Sequence, residues 1–97
     1  VSDANRVDVR FGDGSEGHAV AFERTIMHAV GDNAYAPGRP LELTLRLEGE
    51  AVEVRGKAIG SKKRDDGRFD LRIRLIDLRR DDRARLEAAL GESREAR

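Results

Sequence analysis

The sequence predicts an all-β domain: five or six antiparallel strands closed into a barrel and followed by one C-terminal α-helix. Three observations carry that prediction. From Leu41 to Leu47 every odd residue is Leu and every even one is Glu, Thr or Arg, the period of a strand with one apolar and one polar face. The same alternation appears at Val7, Val9 and Phe11, and again at Phe69, Leu71, Ile73 and Leu75. After Arg79 the period lengthens, and Leu86, Ala89 and Leu90 fall on one helical face. Closure is favoured because an open sheet of this size exposes two unpaired edges.

In chain order, residues 1–5 form a polar leader, and a first strand is expected over about 6–11. Gly12-Asp13-Gly14-Ser15-Glu16-Gly17 supplies turn chemistry. An apolar stretch then runs from His18 to Val30, with His18, Val20, Phe22, Arg24, Ile26, His28 and Val30 at its even, inward positions. It is too long for one straight strand, so a bend or bulge is expected near Arg24 to Met27. Gly31-Asp32-Asn33 breaks the pattern, and an irregular segment leads through Pro37 and Pro40 into the Leu-rich strand. Prolines cannot donate to a ladder, so they define where that strand begins. A turn at Glu48-Gly49-Glu50 returns the chain as Val52, Val54, Gly56 and Ala58, a hairpin whose turn holds the residue best able to take positive φ. Gly60 to Gly67 reads as a charged loop before the last strand. In the helix, expected over about 79–91, Asp81 and Asp82 occupy the first turn, where the dipole favours carboxylates, and Gly91 supplies a stop. The tail 92–97 has no apolar anchor and is expected to fray.

Ninety-seven residues are one domain with a single modest core, here residues 1–97. Nineteen basic residues balance nineteen acidic ones, so no global field draws the chain toward nucleic acid or an anionic membrane. The absence of cysteine excludes disulfides, thiolate catalysis and sulfur-ligated zinc. No apolar run approaches a membrane span, and Val1 opens no signal peptide; the lack of an initiating Met suggests a processed, tag-cleaved or excised segment, one domain of a longer protein being one such case. Nothing resembles a nucleophile elbow, a phosphate loop or a paired acid and base, so no catalysis is inferred. His18 and His28 gather no carboxylates around them and read as partly buried histidines, not as zinc ligands. Ser61-Lys62-Lys63-Arg64 is followed at once by Asp65 and Asp66 and has no interleaved aromatics, the composition of a solvated loop tip. Asp65-Asp66-Gly67 lacks the alternating oxygens of a calcium loop.

Residues 37–47, Gly56 within 54–58, and Ile73 to Leu78 followed by 81–86 resemble the second half of a PilZ domain. The resemblance implies a bacterial six-stranded antiparallel PilZ-like β-barrel over about 6–78 with a C-terminal α-helix, from a family in which many members bind cyclic di-GMP. Two motifs carry the ligand in that family. One is R-x-x-x-R, whose guanidinium forks suit guanine edges and phosphates. Arg6 and Arg10 have that spacing. Val7-Asp8-Val9 also resembles the strand start that follows the second arginine, which makes Arg6 the second of the pair and puts Ser2 at the first position. Both registers stand, as does the plainer reading of Arg6 and Arg10 as a polar strand face. The other motif, D/N-x-S-x-x-G, falls by resemblance on residues 23–28. Glu23 and Thr25 match its acid and hydroxyl in kind, whereas Met27 and His28 stand where glycine is expected and obstruct the space a purine needs.

The expected function is a cytoplasmic bacterial signalling or regulatory domain that has lost cyclic di-GMP recognition and acts through protein contacts, either with a separate partner or with other domains of a longer chain. Met27, Tyr35 and the stretch from Gly31 to Pro40 are the expected partner surface, since Met and Tyr are favoured in interface cores; for Met27, packing inward is the alternative. A second reading is a cyclic di-GMP receptor that uses Arg6, Arg10, Glu23 and Thr25 in an altered pocket. A third is an unrelated small barrel that binds single-stranded nucleic acid. No metal and no resident cofactor is expected.

Overall fold

The computed structural model describes residues 7–47 and 49–91. The chain forms β1 (Val7–Phe11), β2 (Glu16–Glu23), β3 (Ile26–Gly31), β4 (Pro40–Leu47), β5 (Glu50–Lys63) and β6 (Phe69–Ile76), then α1 (Arg80–Leu86), which runs on as a π-helical turn over Glu87–Gly91. The strands close into one antiparallel barrel in the order β1-β2-β3-β6-β5-β4, sealed by β1 against β4. Alternation places Val7, Val9 and Phe11, the four leucines of β4, Val54 and Ala58, and Leu71, Ile73 and Leu75 in one core. Gly56 shares this inward set because it lies against Ile73 and Leu75, where a Cβ would come within 2.8 Å of both the Arg74 carbonyl oxygen and the Ile73 Cγ2.

The two mouths of the barrel are closed differently. At one, Leu86 and Leu90 enter the core fully buried, and Leu78 and Ala89 pack against it. Asp81 and Asp82 lie in the first helical turn as expected, and the Arg85 guanidinium bonds the Leu47 carbonyl at 3.1 Å and the Glu50 carboxylate at 2.7 Å. This tethers the helix to the β4–β5 turn. At the other mouth the β1–β2 turn, the β3–β4 connection and the end of β5 are tied together through Tyr35.

Three expectations are corrected. The stretch from His18 to Val30 is a hairpin, turned at Arg24-Thr25, and not one bent strand. Arg24 takes φ +62°, and a register shift between Ala19 and Ala21 changes the parity. Ala19, Phe22, Met27 and Ala29 therefore face the core, whereas Val20 stands exposed. The charged loop is shorter than expected, because a second shift between Ala58 and Gly60 lets β5 pair with β6 as far as Lys63. Tyr35, read as surface, is 5% exposed. The expected tail at 92–97, Glu48 of the β4–β5 turn, and Ser2 and Arg6 of the arginine motif lie outside the described residues.

Candidate functional site

The β2–β3 hairpin decides whether the residues singled out in the sequence form one site. Arg10 is near the end of β1, where it faces Glu16 on β2 and Thr44 on β4. Its guanidinium pairs with the Glu16 carboxylate at 3.0 Å, both side chains largely exposed. Glu23 closes the same β2 strand seven residues after Glu16, a span of roughly 23 Å at about 3.3 Å per residue. Thr25 lies in the turn beyond it, half-buried, and its carbonyl accepts the Leu75 amide at 2.8 Å. Arg10 is thus at the Tyr35 mouth and Glu23 and Thr25 at the helical mouth, so the four-residue set does not assemble around Arg10. Val7, the first described residue of β1, pairs with Ala19, four residues before Glu23 at the end of β2.

Met27 is also reassigned. It is fully buried, its thioether in the core between strands, so it neither obstructs the outer face nor offers itself to a partner. The adjacent residue has the opposite parity: His28 lies on the outer face, half-buried, opposite Ala21 on β2 and Arg72 on β6. It is the one residue of the glycine position whose side chain occupies outer space. A shallow groove beside it is lined by Val20, Gly60 and Arg72.

From His28 the outer surface continues as a cationic stripe that the sequence reading missed. Arg72 faces Gly60 across the β5–β6 ladder, Arg74 faces Lys57, and Ile76 faces Arg55. These four cations therefore zigzag over three successive rows, with Lys57 and Arg74 directly opposed. A Cβ at Gly60 would come within 3.2 Å of the Arg72 Nη2, so the guanidinium lies over the position without a side chain. Each of the four looked like an ordinary polar strand position in the sequence. Pairing the last two strands residue by residue is the signal that would have found them.

The other mouth holds a polar cluster around Asp13 and Tyr35. The Ser15 hydroxyl and amide donate to Asp13 Oδ1 at 2.6 and 2.9 Å, and the Tyr35 hydroxyl donates to Asp13 Oδ2 at 2.8 Å, joined by Asn33 at 3.3 Å. Hydrogen bonds from the Ser15 hydroxyl and amide, then from Tyr35, lower the Asp13 pKa to about 2. Burial pushes the Tyr35 phenol up, so it stays a protonated donor at neutral pH. The Tyr35 ring stacks on Phe11, its centroid 5.4 Å away, and Arg39 lies over it at 5.6 Å. Every polar atom of this cluster named here has a partner within it, which is the arrangement of a clasp and not of an open ligand site. Among the described residues no three His, Asp or Glu side chains gather to hold a metal ion, and no helix is long and apolar enough to cross a membrane.

No protein-family model, curated protein or solved structure matches the chain.

Proposed function

We propose that this chain is a non-enzymatic regulatory module of PilZ-like plan, acting in the bacterial cytoplasm by docking a protein and not by sensing cyclic di-GMP. The separation of Arg10 from Glu23 and Thr25 along β2 carries the reading. A cyclic dinucleotide is compact, and its recognition needs guanidinium forks, acid and hydroxyl to converge within hydrogen-bond reach. Groups spread over roughly 23 Å of strand do not share one ligand. The His28 imidazole adds bulk on the outer face where the family resemblance expects glycine. Six antiparallel strands with a C-terminal helix support the PilZ likeness as an analogy of fold, and fold alone assigns no function.

The test is calorimetric titration of cyclic di-GMP into the wild-type chain and into the Arg6→Ala and Arg10→Ala variants. No saturable heat is expected in the micromolar range. Micromolar binding that Arg6→Ala abolishes would reverse the reading and make the chain a receptor, whatever Arg10→Ala does.

A further inference from the structure

We propose that the outer stripe of Arg55, Lys57, Arg72 and Arg74 is the docking site for an acidic segment of a partner protein, an extended stretch with carboxylates on alternate residues. This rests on reading the chain as a protein-docking module. Charge distribution is the first support. Arg10, Arg64, Arg68, Arg83 and Arg85 each hold a carboxylate, while exposed cations such as Arg46, Lys62 and Lys63 do not among the described residues, so what marks the stripe is the gathering of four unpaired cations on adjacent rows. Among the described residues the four stripe cations form no ion pair. Glu42 faces Arg55 directly across the β4–β5 ladder and still makes no ion pair with it.

Lys57 and Arg74 supply the second support. They are directly opposite each other, and like charges in that position destabilise a sheet. An acid at either position would turn the repulsion into attraction, so the folded barrel gains nothing from having two cations there. An anionic partner does gain from it. Spacing is the third: same-face residues on a strand repeat every two residues, about 6.7 Å, the same repeat as alternate side chains of an extended peptide. Carboxylates on such a peptide can therefore meet Arg55, Lys57 with Arg74, and Arg72 in register, with charge-assisted forks at the arginines. The groove beside His28 and the exposed Val20 offer a small apolar seat next to the Arg72 end.

Nucleic acid fits the stripe less well. No aromatic side chain lies on it for base stacking. Glu42 flanks one end and Asp70 the other, which interrupts a continuous path for a phosphate backbone, and the chain as a whole carries no net charge.

Fluorescence anisotropy with a labelled peptide of about ten residues alternating Glu and Ser, at low salt, tests the assignment. The peptide should bind, and its Gln counterpart should not. Lys57→Glu and Arg74→Glu should each weaken binding by about tenfold or more, while Arg46→Glu, on β4, should change it by less than about twofold. Because Lys57→Glu places an acid opposite Arg74, its Tm should rise by about 2–4 °C, which separates lost binding from lost folding. Equal loss of binding in Arg46→Glu, or no binding by wild type, would overturn the assignment. So would a single-stranded oligonucleotide that binds more tightly than the peptide and depends on the same residues. A stripe that binds no acidic peptide, in a chain that also binds no cyclic di-GMP, removes this site and leaves the docking reading intact. Nucleotide binding removes the docking reading itself.

Discussion

Tyr35 reaches three residues that are distant in sequence: Asp13 and Ser15 through its hydroxyl, and Ser61 through its backbone, which exchanges two hydrogen bonds of 3.0 Å with the Ser61 hydroxyl. Removing the phenolic oxygen in Tyr35→Phe should therefore lower stability by about 1–2 kcal/mol in urea unfolding, leaving the ring stack on Phe11. Asp13 adds a pH dependence of known sign. Its folded pKa of about 2 lies below the ordinary 3.8, so the unfolded chain takes up the proton first. The contribution is complete above the ordinary value and disappears as pH falls through about 2. In wild type, acid unfolding should be steeper over that window than in Asp13→Asn, a difference that chemical denaturation at several pH values would measure. Gly56 makes a harder constraint, since a methyl there would be driven onto the Arg74 carbonyl and Ile73. Gly56→Ala should cost about 1–3 kcal/mol, and a neutral result would mean that β5 and β6 can move apart.

At the scale of the element, the β2–β3 hairpin explains what the sequence could and could not say. The alternations of β1, β4 and β6 were legible because each strand keeps one parity from end to end and buries its apolar set. In β2 the register shift after Ala19 breaks that parity, and no residue there marks a bulge. The turn itself was hidden because its first central residue is Arg24 at φ +62°, a position where glycine is the usual signal. Arg24→Gly should stabilise the chain by about 0.5–1 kcal/mol in thermal unfolding, since an L side chain in the left-handed region is strained. The helix was legible in its acidic first turn and in Leu86 and Leu90, but not in its π-helical ending, which the apolar spacing alone does not distinguish from a regular last turn.

For the whole molecule, closure itself followed from the number of strands and the problem of edges, whereas the neighbours β3–β6 and β1–β4 depend on contacts far apart in the chain. The candidate site was less legible for the same reason. Arg10 and Glu23 look close in a list of motifs and are set apart by one strand length, while Lys57 and Arg74 look unrelated and are set face to face. Among the described residues the β1–β4 seam pairs Val9 with Leu45, Arg10 with Thr44 and Phe11 with Leu43, a ladder much shorter than the one that joins β4 to β5 from Pro40 to Leu47. The seam is therefore a less costly place for the cylinder to unzip than the β4–β5 ladder. In deuterium exchange its amides should be labelled well before those of β5 and β6, through a transient breach that bares the apolar lining of one wall and gives passing strands of other chains a brief opportunity to add on.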